Sequence, residues 1–240
     1  MEVEKGMGEL RWRNEHKYWI TWEQYHLLRR RLRPLARRDS HTDSVGEYRV
    51  RSLYFDTADE AHAFEKLSGI SRRAKYRIRI YDCNDDWGRL EIKHRDGHRV
   101  AKESVKLSRA EVNEIIARRI PSDQGRATAL TRLQMGLRRS GANPKCVVDY
   151  IREPYVFGPG NVRVTFDKHL RTGPWCRNIY DAKLPTLPVR GEGDMILEIK
   201  YDGFLPMVMK RVFPSSILGP VAISKYMLCR PALQNWDNGS

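Results

Sequence analysis

Short stretches that alternate charged and apolar residues recur along this chain, and in each the charged residues share one face of a predicted strand. From Lys75 to Ile80 every second residue is basic, and the order Leu-Glu-Ile-Lys occurs at both 90–93 and 197–200. The same alternation extends to 15–20, 102–106, 150–152 and 162–167. Because successive side chains of a strand point to opposite faces, each stretch predicts a strand with one charged and one apolar face.

A closed sheet explains the whole set better than an open one. For any single strand, the alternative is an amphipathic strand whose charges face water. For the set, predicted helices can cover the apolar faces from outside, which leaves the charged faces around a lumen. The sequence therefore predicts an α+β fold, an antiparallel β-barrel tunnel of about eight strands with helices packed outside it.

The charge balance of such a lumen predicts an anionic ligand. The carboxylates available on the inward faces are Glu15, Glu91, Asp167 and Glu198. They are fewer than the inward Arg and Lys residues, whose mutual repulsion would be costly without a further anion. Arg donates two parallel hydrogen bonds to phosphate, so a phosphorylated ligand is favoured.

Composition sets looser bounds. The 240 residues carry a formal charge of +14, which by itself fits nucleic acid, an anionic membrane or phosphorylated small molecules. The four cysteines form no CxxC pair, and no apolar run approaches the ~20 residues of a membrane helix. We expect a cytoplasmic protein with one domain over 1–240 and flexible ends at 1–10 and 235–240.

Helix signals fall between the predicted strands. Thr21 with Gln24 and Ser108 with Glu111 have capping-box spacing, which predicts a helix after each of these hydroxyl residues. Further helices are predicted around 59–67, 126–139 and 223–229, with a Gly turn at Gly69. The stretch 170–193 is rich in Pro and Gly and is predicted to be mostly loop.

In this order, the motifs of the chain resemble the catalytic domain of the vacuolar transporter chaperone (VTC) family. That domain is a polyphosphate polymerase of the triphosphate tunnel metalloenzyme (CYTH-like) superfamily. The matching segments are 16–19 (His-Lys-Tyr-Trp), 51–56 (Arg-Ser-Leu-Tyr-Phe-Asp), 77–81 (Arg-Ile-Arg-Ile-Tyr), 90–93, 102–106, 149–152, 162–167, 197–200 and 224–226 (Ser-Lys-Tyr). Each motif alone is weak, but the ordered set covers nearly the whole chain.

The resemblance implies roles for named residues. Catalytic phosphate contacts would come from Lys17, Arg77, Arg79, Lys93, Arg152, Arg163 and Lys225. Further substrate contacts would come from Lys106, Tyr150, Ser224 and Lys200. Glu198 would hold a divalent metal, Mn²⁺ or Mg²⁺, with Glu15 and Glu91 as further candidate ligands. The family has a Lys two positions before the Ser-Lys pair, where this chain has Ala222.

The implied reaction transfers the γ-phosphate of ATP to a growing polyphosphate chain. A phosphate oxyanion is already deprotonated, so this transfer needs no general base, whereas water as acceptor would need activation. Hydrolytic relatives commonly begin with Glu-x-Glu-x-Lys. Here Arg13 takes the place of the first Glu, which favours the polymerase over an inorganic or nucleoside triphosphatase of the same fold.

Two non-enzymatic alternatives have different standing. Ala222 favours a polyphosphate or nucleotide sensor that uses the same tunnel without turnover. Nucleic-acid binding is disfavoured because the Arg residues alternate within strands and do not cluster with exposed aromatics. Eukaryotic relatives carry or associate with an SPX regulatory domain and a membrane domain. We expect this chain to lack both, so a separate membrane protein is a candidate partner for export of the product.

Overall fold

The computed structural model describes residues 11–57, 73–83, 86–97, 99–119, 127–176, 178–191, 193–214 and 219–237. The predicted helix at 59–67 and the turn at Gly69 lie outside these residues. The described strands are β1 (Arg13–Ile20), β2 (Arg37–Arg38), β3 (Tyr48–Asp56), β4 (Arg73–Tyr81), β5 (Trp87–Asp96), β6 (Arg99–Ser108), β7 (Asn143–Phe157), β8 (Val162–Pro174), β9 (Leu187–Pro188) and β10 (Met195–Tyr201). The described helices are α1 (Trp22–Leu32), α2 (Arg109–Ile116), α3 (Ala127–Arg139), α4 (Met207–Lys210) and α5 (Lys225–Asp237).

Eight of these strands close into an antiparallel barrel. They follow one another in the order β7, β3, β4, β5, β6, β1, β10 and β8, and β8 pairs back onto β7. The two-residue strands β2 and β9 add to β7 and β8 from outside. The predicted tunnel architecture is confirmed. Among the eight barrel strands, the pairing is incomplete between β1 and β6, which pair only at Arg13 and Asn14.

The register sets opposite charges beside each other on the inner face. Glu15 lies opposite Lys200 and Lys17 opposite Glu198 across β1 and β10. Arg77 lies opposite Glu91 across β4 and β5. Cross-strand partners on the same face are close enough to pair, so the register alone brings acidic and basic groups into contact.

Helices cover the apolar outer face in two separate clusters. Ile78 and Leu90 of the barrel wall pack with Ile115 of α2 and Leu137 of α3. On the other side, the buried stripe of α1 packs on β8 and β10, with Leu28 in the same cluster as Phe166. Both predicted capping boxes are present, at Thr21–Gln24 and Ser108–Glu111.

The terminal helix packs into the barrel end instead of covering its outside. Tyr226 and Cys229 of α5 belong to one buried cluster with Tyr54 and Tyr150, whose side chains also line the lumen. The Tyr226 hydroxyl donates a 2.7 Å hydrogen bond to the buried carboxylate of Asp56 at the end of β3. This packing places the start of α5 against the lumen.

The predicted loop at 170–193 and the predicted terminal helix have different boundaries in the structure. The predicted loop at 170–193 begins later, because β8 continues to Pro174, and it contains β9, which pairs with Arg171 and Thr172. The terminal helix begins at Lys225, two residues after the predicted start, and continues to Asp237. In the part of the chain with described coordinates, none of the helices has the length and apolar character needed to cross a bilayer.

Candidate active site

The barrel encloses a cavity of about 480 Å³ whose lining is strongly basic. Among the lining residues thirteen are Lys or Arg, four are Tyr and two are Glu. They come from β1, β3, β4, β5, β6, β7, β8 and β10 and from the segment that leads into α5. The inward face predicted from the alternation is therefore the lining of the lumen.

The first carboxylate cluster joins β1, β5 and β10. Lys93 Nζ donates to both oxygens of Glu15 at 2.7 and 2.9 Å. Lys17 Nζ lies 3.2 Å from Glu15 and 3.5 Å from Glu198. Lys200 Nζ lies 2.7 Å from Glu198 and 3.4 Å from Glu15. The two carboxylates, on adjacent strands, thus share Lys17 and Lys200, and Glu15 has Lys93 as a third partner.

Burial and pairing act in opposite directions on these groups. Burial tends to raise the pKa of Glu198, but Lys200 and Lys17 hold that pKa well below its ordinary value. Burial tends to lower the pKa of Lys17, but Glu15 and Glu198 raise it above the ordinary value. Burial lowers the pKa of Lys93 to about 7, and nearby Lys17 and Lys200 reinforce this shift against Glu15. Lys93 is therefore poised to gain a proton when an anion enters.

The second cluster is centred on Glu91, which is fully buried. Arg77 donates to Glu91 at 2.7 Å, and Lys102 does so at 2.9 Å. Burial opposes ionisation of Glu91, but Arg77 and Arg79 hold its pKa well below the ordinary value. Glu91, a candidate metal ligand by resemblance, is thus already paired with cations. Arg77 and Lys102 are its close partners, Arg79 lies 3.8 Å away, and Lys93 is bound to Glu15.

The third cluster joins β7, β8 and α5. Arg152 binds Asp167 through two hydrogen bonds of 2.7 and 2.8 Å, and Lys225 Nζ lies 2.5 Å from the same carboxylate. The Tyr150 ring lies under both cations, 5.3 Å from the Arg152 guanidinium carbon and 4.8 Å from Lys225 Nζ. Burial tends to raise the pKa of Asp167, but Arg152 and Lys225 lower it. Asp167 therefore stays ionised and orients both cations.

Two more Arg residues lie at other points of the lining. Arg163 binds Asp39 at 2.6 Å and donates to the Tyr48 hydroxyl at 3.1 Å. Arg79 donates to Ser52 at 3.3 Å and to Tyr150 at 3.4 Å. Each guanidinium has five N–H donors, and these contacts use only some of them. Donors therefore remain for a ligand.

Nearly all of the residues named from sequence converge on this cavity. Its lining includes Lys17, Arg77, Arg79, Lys93, Arg152, Arg163, Lys225, Tyr150, Ser224, Lys200, Glu198 and Glu15. Lys106 differs: it is exposed at the end of β6, with its amine 4.8 Å from the centre of the Trp87 ring, and it does not line the cavity. Glu91 lies behind the lining, under Arg77 and Lys102.

The sequence prediction missed several lining residues. Tyr54 was assigned no role, yet its hydroxyl accepts a 2.8 Å hydrogen bond from Arg77, and the residue both belongs to a buried cluster and borders the cavity. Tyr48 also lines the cavity and was missed, whereas Lys75 and Lys102 line it as their place on the charged strand faces predicted, although neither was assigned a role. The available signal was strand parity, since Tyr48 and Tyr54 fall on the same face of β3.

The residues present fit a divalent cation only if the ligand supplies most of the coordination. Among the described residues, no group of three or more His, Cys, Asp or Glu side chains is placed to hold a metal ion. Glu15 and Glu198 are near neighbours, because they share Lys17 and Lys200. Mg²⁺ and similar ions are commonly bound through one or two carboxylates plus substrate phosphates, and this pair matches that pattern.

Comparison with known proteins identifies the family. The model of the VTC domain matches residues 12–233, which is nearly the whole chain. The chain belongs to the VTC domain family. The resemblance to this family noted from its motifs is thereby confirmed, and this VTC domain has the closed antiparallel tunnel barrel predicted for it.

Solved structures show more distant similarity. A proposed adenylate cyclase from Bacillus halodurans is 15% identical, with 80% of this chain and 81% of that chain covered and a TM-score of 0.47. The PH1819 protein from Pyrococcus horikoshii is 13% identical, with 92% and 98% covered and a TM-score of 0.47. No curated protein matches this VTC domain significantly.

Proposed function

We propose that this VTC domain is a metal-dependent polyphosphate polymerase that transfers the γ-phosphate of ATP to a growing polyphosphate chain. The observation that supports this most is the charge balance of the lumen. Thirteen Lys and Arg residues line it, and the carboxylates on its inner face, Glu15, Glu91, Asp167 and Glu198, already have two or more cationic partners each. The remaining positive charge suits a chain of phosphates.

The proposed reaction is one phosphoryl transfer. A terminal oxygen of the polyphosphate chain attacks the γ-phosphorus of ATP and forms a new P–O bond. The bond between the γ-phosphorus and the β–γ bridging oxygen breaks, and its electron pair leaves on that oxygen, which becomes a terminal oxygen of ADP. Since the attacking oxyanion carries no proton, the residues of the lumen need only align the two phosphates and offset their charge.

Each of the three carboxylate clusters holds a different set of cations in place for this reaction. Arg77 and Arg152 are each fixed by a carboxylate and a Tyr, so their guanidinium planes are oriented before substrate arrives. Lys225 enters from α5 and shares Asp167 with Arg152, so it faces the same stretch of phosphate chain. Preorganised donors of this kind stabilise charge that moves in the transition state without reorganising at that moment.

Glu198 and Glu15 are the proposed ligands of Mn²⁺ or Mg²⁺. A divalent cation, when bound there, would supply positive charge that offsets the charge of the phosphates. The pKa values of both carboxylates are held low by Lys17 and by Lys200 or Lys93, so both are ionised and able to ligate at neutral pH.

Arg13 supports transfer to phosphate over transfer to water. Its side chain borders the lumen and its guanidinium binds Asp202 at 2.9 Å. The position thus adds a cation where hydrolytic relatives place a carboxylate that helps to hold metal. Weaker activation of water is expected, which favours the polymerase over the triphosphatase.

We further infer that the protein works in the cytoplasm, where ATP is abundant, and that a membrane protein exports the product. Nucleic acid is not expected as a ligand, because the cations named above point into an enclosed lumen. Ala222 is exposed, and its methyl side chain carries no charge. It therefore adds no cation beside Ser224 and Lys225.

Incubation with ATP and Mn²⁺, with products resolved on a gel that detects long polyphosphate, tests the proposal. Chains accompanied by ADP are expected. Orthophosphate without chains would contradict the polymerase and indicate a triphosphatase. Tight ATP binding without turnover would indicate a sensor.

A further inference from the structure

A second cavity, of about 790 Å³, lies outside the barrel wall against β1 and β10. Its floor is the outer face of these strands, where His16 and Tyr18 alternate with the inward Glu15 and Lys17. The loop after β10, with Phe204, and the segment before α5, with Val221, form its other walls.

The cavity lies at the one weak seam of the barrel. β1 pairs with β6 only at Arg13 and Asn14. Farther along β1, the backbone N–H of Val221 donates to the carbonyl of Lys17 at 2.8 Å. Glu15, Lys17 and Arg95 therefore border both the outer cavity and the lumen. A ligand in the lumen could extend past these residues into the outer cavity.

The walls of the outer cavity are suited to a flat aromatic ring. The rings of His16 and Tyr201 lie nearly parallel, at 12°, with centroids 5.7 Å apart. His16 Nε2 and the Tyr201 hydroxyl are hydrogen-bonded at 2.9 Å, which fixes the two rings as one platform. Phe204 borders the same cavity and is 77% exposed, so its ring is free to cover a ligand. Aromatic side chains stack on any nucleobase, because every base has a π face.

We propose that the outer cavity binds the nucleoside of the ATP whose triphosphate lies in the lumen. The assignment rests on the proposed function. The aromatic platform matches a base, and the shared border at Lys17 and Arg95 places cations where the phosphate chain begins. A polyphosphate chain would use only the cations, whereas a nucleotide uses the cations and the rings.

Calorimetric titration of ATP and of tripolyphosphate tests this assignment, because tripolyphosphate has the phosphates without the nucleoside. In Phe204→Ala and Tyr201→Leu, the Kd for ATP should rise about tenfold, since one stacking partner is lost. The Kd for tripolyphosphate should stay within about twofold in both. Tyr201→Phe keeps the ring and should behave almost as wild type. Trp175→Ala removes an aromatic that is 47% exposed and borders neither cavity, so it should change neither Kd.

The possible failures are distinguishable. If wild-type protein does not bind tripolyphosphate, the proposed function fails and this inference fails with it. If tripolyphosphate binds, and Phe204→Ala and Tyr201→Leu weaken both ligands equally or weaken neither, only the nucleoside site is contradicted.

Discussion

At the scale of single residues, the lumen is organised by carboxylates that hold cations in place. Glu15, Glu91, Asp167 and Glu198 are all buried, and each is bound by Lys or Arg. A buried ion pair contributes little net stability, because desolvation offsets the attraction. Its role here is to orient the cations that face the lumen.

Glu198→Gln removes the carboxylate that we assign to the metal. We expect Mn²⁺-dependent turnover to fall by about 100-fold or more, as expected for loss of a metal ligand. Binding of tripolyphosphate without metal should be kept or strengthened, because Lys17 and Lys200 lose a competing anion. Glu103→Gln is a matched control, since Glu103 binds His94 and lines neither cavity. Unchanged turnover in Glu198→Gln would remove Glu198 from the mechanism.

Lys93 predicts proton uptake on ligand binding. Burial lowers the pKa of Lys93 to about 7, so at pH 8 the free protein holds most of this amine neutral. A bound phosphate favours the charged form, so binding should draw a proton and the affinity should fall as the pH rises above about 7. Calorimetry in buffers of different ionisation enthalpy measures this uptake.

Lys93→Arg is the control for that measurement. Arg stays protonated throughout the range, so this variant should bind tripolyphosphate with less proton uptake than wild type at pH 8. Equal uptake in the two proteins would show that Lys93 is already charged in the free lumen.

At the scale of elements, strand parity made the lumen predictable. Arg77 and Arg79 on β4, Glu91 on β5 and Glu198 on β10 follow the period of two, and all lie on the inner side as expected. The ion partners were not predictable, because they depend on the stagger of the strands. Lys93 meets Glu15 of β1, a strand that does not pair with β5.

Strand parity gave a wrong location near the end of β6. Lys106 is on the inward face of β6 by counting, but it sits at the strand end, where it lies over Trp87 outside the cavity. Parity does place Tyr54 on the inward face of β3, although no role was assigned to it. The hydrogen bond that its hydroxyl accepts from Arg77 depends on the register of β3 and β4, which a single sequence cannot reveal.

The hydrogen bond from Tyr226 to Asp56 should help to anchor the terminal helix α5. Tyr226→Phe removes the donor that Asp56 uses at 2.7 Å, and a buried carboxylate that loses a partner costs about 1–3 kcal/mol of unfolding free energy. Urea denaturation should show this loss. Tyr201→Phe, which removes a hydroxyl from the half-buried outer face, should cost less than about 1 kcal/mol. A smaller loss for Tyr226→Phe than for Tyr201→Phe would contradict the anchoring role.

At the scale of the whole molecule, the same closure that removes strand edges also concentrates charge. The chain carries a formal charge of +14, which sums the charges on the exterior and the charges in the lumen. Cations on the exterior are screened by salt within about 10 Å, whereas those in the lumen face one another across a confined space. Ligand affinity should therefore depend on where a cation lies and not only on the net charge.

A phosphate site inside the barrel is tested most directly by comparing one cation inside the barrel with one outside it. Arg77→Gln and Arg138→Gln change the net charge equally, but Arg77 lines the lumen and Arg138 is exposed on α3. Titration with tripolyphosphate should show a rise in Kd of about 10-fold to 100-fold for Arg77→Gln, because a charge-assisted donor is lost. Arg138→Gln should stay within about twofold of wild type. Equal effects of the two substitutions, or no effect of Arg77→Gln, would contradict a phosphate site inside the barrel.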